Sequence, residues 1–110
     1  MTDFSDYAHY DALGLADLVK KGEVTPTQLL EEAIKRRNQV NPQINAVIRS
    51  MDDLAYQAIE NGLPQGTFTG VPFLIKDLLA AYAGVPMTNG CRAYQDYVPN
   101  YDSEMVKRYK

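Results

Sequence analysis

A lysine and an aspartate close the stretch from Gly70 to Asp77, which reads Gly-Val-Pro-Phe-Leu-Ile-Lys-Asp. Lysine can take a proton only as the neutral amine, and a dry, apolar setting favours that form over the ammonium. The run Val71 to Ile75 offers such a setting if it is a strand covered on both faces, as in a largely parallel sheet. Lys76 would then lie at the carboxyl end of a strand, where open α/β sheets carry their chemistry. The plainer reading is that Lys76 steps out of the sheet into water, because lysine is rarely buried without a partner. In a strand Asp77 faces away from Lys76, so it is expected to accept backbone N–H groups of the following loop; a solvated surface carboxylate is the alternative. Thr88-Asn89-Gly90 has the composition of a turn.

Few other residues can do chemistry. His9 is the only histidine and has no evident partner in its segment, so a surface role is expected rather than a base. Cys91 is the only cysteine, which excludes an internal disulfide and fits a reducing compartment. It is expected to be a small buried residue and not a catalytic thiol. No Cys/His cluster has metal-site spacing, and neither metal nor cofactor is expected. Ser5, Ser50 and Ser103 are the only serines, and none sits in a glycine- and serine-rich run.

The 110 residues carry a formal net charge of -3 with 45% hydrophobic content. Such a chain can build a modest core and has no general attraction to nucleic acid or to anionic membrane. Asp3 and Asp6 stand where a secretory signal would be basic, and no segment could span a bilayer, so a cytoplasmic protein is expected.

Residues 1–10 lack a period and read as an arm. Asp11 to Lys21 forms a short amphipathic helix, with Asp11 as N-cap, Ala12, Leu15, Leu18 and Val19 on one face, and Gly22 past its end. Thr25-Pro26-Thr27-Gln28 writes a capping box with proline at the first helical position. That helix is expected to reach about Val40, with Leu29, Leu30, Ala33 and Ile34 inward and Asn41-Pro42 breaking it. Ile44 to Ile48 reads as a short strand. Ser50 then caps a third helix with Met51, Leu54, Ala55, Ala58 and Ile59 on one face, ended by Asn61-Gly62. The strand of residues 70–77 follows. Residues 78–102 read as a loop region with a further strand near Tyr82 to Pro86, in which Tyr94, Tyr97 and Tyr101 could stack bases, line an apolar substrate site or pack against other structure. Asp102 or Ser103 caps the start of a last helix over residues 103–110.

Taken together, four segments carry a family likeness: Lys21-Gly-Glu-Val-Thr25 through Val40-Asn-Pro-Gln-Ile-Asn-Ala-Val47; Gly70 to Asp77; Gly84-Val-Pro-Met-Thr-Asn-Gly-Cys91; and Asp102-Ser-Glu-Met-Val-Lys-Arg108. In order and spacing they resemble the N-terminal part of amidase signature enzymes, from about Asp11 onward. The resemblance implies an α/β fold, with residues 1–110 supplying N-terminal helices and first strands of a single larger mixed-sheet domain. It implies hydrolysis of amide C–N bonds, or ammonia transfer, by a Ser-Ser-Lys triad in which Lys76 is the catalytic lysine. Asp77 would support it, and Thr88, Asn89 and Gly90 would lie in the loop bordering the site. Both serines and the oxyanion loop would come from sequence outside these residues, so the chain alone would be inactive. The family often has serine where this chain has Cys91. The implied partners are a small amide substrate and the remainder of the domain, with homodimerisation open and no nucleic acid or membrane. Two alternatives stand beside this: a small helical interaction module in which Lys76 has no catalytic duty, and a subunit of a tRNA-dependent amidotransferase.

Overall fold

The computed structural model describes residues 4–110, and the chain divides into two compact units, one ending at Pro72 and the other running from Phe73 to Lys110. Among the described residues every regular element is a helix.

In the first unit, a 3-10 helix (Ser5–His9) occupies half of the ten-residue segment expected to be an arm, of which residues 1–3 lie outside the described residues. Helix α1 (Ala12–Lys20) starts where Asp11 accepts the Gly14 N–H at 2.8 Å, and Gly22 follows its end at φ 74°. Helix α2 (Pro26–Ile44) carries the complete capping box: the Gln28 N–H donates to Thr25 Oγ1 at 3.1 Å, and the Thr25 N–H donates to Gln28 Oε1 at 2.9 Å. Such a cap contributes about 1 kcal/mol, and proline at the first position gives up a donor that no helix could use. Leu15, Val24 and Leu29 form the buried core of this unit, with Phe4, Tyr7, Leu18, Val19 and Val71 packed against it. Leu29 is fully buried, so truncating it to alanine removes about 2–5 kcal/mol of stability.

One charge goes inside with this core. Glu32 is 5% exposed and is held by Arg36 at 2.8 Å and Lys35 at 3.6 Å. The Arg36 guanidinium also donates to the Ser5 carbonyl at 3.3 Å and lies 5.4 Å from the centre of the Tyr7 ring, fastening the 3-10 helix to α2. Burial pushes the Tyr7 phenol above its ordinary value, with Arg36 opposing and Glu32 reinforcing the change.

Pro42 does not end α2. The helix runs two residues further, to Ile44, and Asn45 closes it in the left-handed conformation at φ 49°. A proline in the last turn costs a single intrahelical donor, and asparagine tolerates the left-handed region, so the break moves from Pro42 to Asn45. Asn41 holds the reversal, accepting the Val47 N–H at 2.8 Å and donating to the Val47 carbonyl at 2.9 Å. The strand expected over Ile44 to Ile48 is therefore absent. Ile44 is the last turn of a helix, and Ile48 is 63% exposed. Helix α3 (Asp52–Glu60) follows, with Ser50 Oγ accepting the Asp52 N–H at 3.2 Å although Met51 occupies the cap position. Arg37 of α2 reaches across to α3 with two parallel bonds to the Asp52 carboxylate, at 2.6 and 2.9 Å.

The strand expected over residues 70–77 is not formed either; residues 71–76 run without regular structure, and Phe73 and Leu74 are 68% and 71% exposed. The preference of Ile, Val and Phe for strands is a fit to a pleated, half-buried surface, and none of the described residues supplies a neighbouring strand for it. The α/β layering expected for the chain is thus not present among these elements, which are helical.

In the second unit, residues 78–102 are more ordered than a loop. The N–H groups of Gly84, Met87 and Ser103 donate to the carbonyls of Pro99, Tyr97 and Ala81 at 2.9, 3.0 and 2.9 Å, so residues 81–87 and 97–103 run antiparallel. Pro86 and Pro99 lack donors, and the expected strand at Tyr82 to Pro86 stays at scattered bonds without a ladder. A 3-10 turn (Arg92–Tyr94) bridges them, and helix α4 (Glu104–Tyr109) begins with Ser103 accepting the Val106 N–H. Ala80, Ala81, Met87, Pro99 and Val106 are the buried residues of this unit.

Two stability tests follow. Gly70 sits at φ 89°, and a β-carbon there would lie 3.1 Å from both Pro26 Cγ and Val19 Cγ1. Gly70→Ala should therefore lower the unfolding free energy by roughly 1–3 kcal/mol in denaturant titration, and a variant as stable as the parent would contradict this packing. The Arg37 bonds hold the Asp52 carboxyl below its ordinary 3.8. Because the folded value is the lower one, the pair's contribution is complete above pH 3.8 and drains as the pH falls through the lowered value. Asp52→Asn should cost on the order of 1 kcal/mol at neutral pH, with the gap to the parent closing as the pH falls below the ordinary carboxylate range; a gap independent of pH would refute it.

Candidate functional site

The residues singled out by their chemistry lie on two loop segments of the second unit. Asp77 opens a turn over residues 77–79, and Thr88 to Gly90 form the facing one. Asp77 Oδ1 accepts the Thr88 N–H at 2.7 Å, and the Thr88 hydroxyl donates to Oδ2 of the same carboxylate. One residue later on the second segment, Asn89 Oδ1 accepts the Leu79 N–H at 3.1 Å. The Gly90 N–H approaches Thr88 Oγ1 at 3.4 Å, and the Cys91 N–H closes the turn on the Thr88 carbonyl at 2.9 Å. Asp77, Thr88, Asn89 and Gly90 are thereby brought together.

The backbone is unusual at these positions. Leu79, Asn89 and Gly90 have φ of 62°, 52° and 68°, in the left-handed region. Glycine and asparagine enter it readily, but a leucine there costs on the order of 1–3 kcal/mol. Leu79 is also 74% exposed, so no burial of its side chain offsets that cost within this chain.

Lys76 immediately precedes this pair of turns and is exposed. The dry setting expected for it is not supplied here, since Phe73 and Leu74 face solvent and Ile75 is half-buried. Phe73 is held by its ring, 4.7 Å from that of Tyr109 on α4. Asp102, expected as a possible helix cap, does different work. It accepts the Ala83 N–H at 2.8 Å and the Lys110 ammonium at 2.6 Å, while that ammonium also sits 3.9 Å from the Tyr82 ring. Lys110 holds the Asp102 carboxyl below its ordinary value, and the same bond raises the Lys110 ammonium.

Sequence reasoning missed the partner of Asn89. Nothing in the type or spacing of Leu79 marks it as a left-handed donor, because its conformation is imposed by a residue ten positions away. His9 lies at the surface, 3.6 Å from Asp6, and Tyr94, Tyr97 and Tyr101 are all about half exposed. A shallow open pocket in the first unit is lined by Arg37, Asn41 and residues 47–50, and includes none of the site residues. Among the described residues no helix is long and apolar enough to cross a membrane.

A family model described as Amidase matches residues 28–110. The 6-aminohexanoate-cyclic-dimer hydrolases of Pseudomonas sp. (strain NK87) and of Paenarthrobacter ureafaciens are each 37% identical over 102 residues, covering 91% of this chain and 20% of their own length. A glutamyl-tRNA(Gln) amidotransferase subunit of Sulfurihydrogenibium sp. (strain YO3AOP1) is 33% identical over 103 residues, covering 87% of this chain and 21% of its own length. The chain thus spans about a fifth of the length of the curated relatives it matches. No solved structure matches it.

Cys91 corrects an expectation drawn from its small size: it is exposed, not buried. It follows the turn at Gly90 with its N–H tied back to Thr88, which leaves the side chain outside. A maleimide should label Cys91 in the folded chain at a rate within about tenfold of an unhindered thiol, whereas labelling only after denaturation would restore the buried reading.

Proposed function

This chain belongs to the amidase family, and from that membership we propose that it is the N-terminal part of an enzyme that hydrolyses carboxylic amides with Lys76 as the general base. The observation that carries the proposal is Lys76 at the end of Gly-Val-Pro-Phe-Leu-Ile-Lys-Asp, within the matched residues and next to a carboxylate already bound to Thr88. In this reading residues 1–110 are one segment of a single larger α/β domain. Residues 70–77 become a strand when the remainder of the domain provides the neighbouring strands, and that remainder covers Phe73, Leu74, Leu78 and Leu79. Their exposure in one short stretch supports this, since large apolar side chains exposed together mark an interaction surface. Burial against the same surface supplies the low-dielectric setting that the neutral amine requires.

The chemistry is acyl transfer through a Ser-Ser-Lys triad. Lys76 takes a proton from the attacking serine by way of the bridging serine hydroxyl, the serine oxygen bonds to the amide carbon, and the C–N bond breaks as the proton passes to the leaving amine. Water then releases the acid by the same route in reverse order. The reaction needs no cofactor, and a cytoplasmic setting is part of the proposal.

A second reading, in which the chain belongs to a tRNA-dependent amidotransferase, is favoured by the 33% identity to a component of one such enzyme. The two share the amide-cleaving step and differ in whether the ammonia is released or transferred.

Reading the coding sequence past the codon for Lys110 separates these from an interaction module. Continuation into a serine- and glycine-rich stretch supports the enzyme, and a stop codon at that point supports the module. The 110 residues alone should show no turnover of a simple aryl amide, because a base without nucleophile or oxyanion donors cannot form the acyl intermediate; lysine-dependent turnover by the isolated chain would overturn this. In the full-length enzyme Lys76→Ala should lower kcat/KM by about 10²–10⁴-fold with the fold intact, and a loss below tenfold would remove Lys76 from the mechanism.

A further inference from the structure

Lys76 has four rotatable side-chain bonds, so the direction in which its amine points is governed by how firmly the backbone after it is fixed. Two cross-links fix that backbone, and both use side chains in place of a backbone ladder. Asp77, the next residue, receives both donors of Thr88, one on each carboxylate oxygen. Two residues further on, the Leu79 N–H is taken by Asn89. The rungs run 77 to 88 and 79 to 89, and the second is made from a left-handed leucine, Leu79. A carboxylate directly after a lysine is also its closest available counter-ion in sequence. Here both of its oxygens are turned to Thr88.

We propose that Asp77, Thr88 and Asn89 are positioning residues for Lys76, a side-chain buckle that aims the amine and keeps the neighbouring carboxylate from pairing with it. The assignment rests on Lys76 being the base. Leu79 is held in its left-handed conformation by the bond of its N–H to the Asn89 side-chain oxygen, and the turn at Gly90 sets Thr88 so that its N–H and hydroxyl reach the same carboxylate. The buckle contributes nothing to substrate binding in itself, so its loss should be felt in the chemical step.

The test uses the full-length enzyme with an aryl amide substrate and four variants: Thr88→Val, Thr88→Ser, Lys76→Ala, and Thr88→Val combined with Lys76→Ala. Thr88→Val keeps the shape but lacks the hydroxyl donor, and it should lower kcat by about a hundredfold with KM changed by less than about threefold, the scale expected when a catalytic group is displaced by an ångström. Thr88→Ser restores the hydroxyl and should recover kcat to within about fivefold of the parent. Once Lys76 is alanine, Thr88→Val should cost nothing further, because residues acting as a unit are not additive. Circular dichroism and the unfolding midpoint confirm that each variant is folded. If Lys76→Ala is inactive while Thr88→Val retains kcat within twofold, the buckle is refuted and the base assignment stands. If Thr88→Ser is as impaired as Thr88→Val, or Thr88→Val acts on KM alone, the role is packing or binding and the proposal fails. If Lys76→Ala keeps its activity, the base assignment fails, and positioning of Lys76 fails with it.

Discussion

A carboxylate partly withdrawn from water gains from finding donors, and half-buried Asp77 finds two on one residue, Thr88. That single requirement shapes the second unit around the lysine. Thr88 presents its N–H and hydroxyl together at the start of a tight turn, in which Asn89 and Gly90 enter the left-handed region. The turn in turn places the Asn89 side chain opposite Leu79 and forces a leucine where glycine would be easier. The antiparallel run of residues 81–87 against 97–103 then returns the chain to α4, where Tyr109 meets the Phe73 ring. Charge-assisted bonds to a carboxylate are about twice as strong as neutral ones, which is why one such contact can impose a local geometry on weaker neighbours.

The first unit is organised differently, by local signals that agree with its burial. Caps at Asp11 and Thr25 set where α1 and α2 begin, and the helices so placed bury Leu15, Val24 and Leu29. Among the described residues Glu32 is the one charge drawn into the buried set, and its pairing with Arg36 and Lys35 offsets the cost of taking a carboxylate out of water. Arg36 extends that pairing to Ser5 and Tyr7, so the 3-10 helix is fixed to α2 through the same charge cluster.

What could be read from sequence divides along the same line. The N-caps at Asp11 and Thr25, a cap at Asp102 or Ser103 that the structure resolves to Ser103, the proline at the first position of α2, and the glycines at 22 and 62 were legible because each depends on residues within four positions. The strand at 44–48 was misread and that at 70–77 is not formed in this chain, because strand formation depends on a distant partner, and Ile and Val favour a strand only where one exists. Pro42 was given too much weight: near the end of a helix it removes one bond, and the stop came instead from Asn45. The turn at 88–90 and a backbone-accepting role for Asp77 could be anticipated from composition. Its specific partner, and the Asn89 bond to Leu79, could not, since contacts across ten residues leave no local periodicity. Cys91 was misplaced because its size predicts burial, while its exposure follows from the turn before it.

Lys76 is proposed to move protons, and arginine separates this from a merely electrostatic role. Arginine keeps the positive charge and the donors but does not deprotonate in a protein. The most direct measurement is the single-turnover rate of amide cleavage by full-length Lys76→Arg enzyme, with folding verified. A rate depressed as far as that of Lys76→Ala is the result this account predicts, and a Lys76→Arg rate close to the parent's would contradict it.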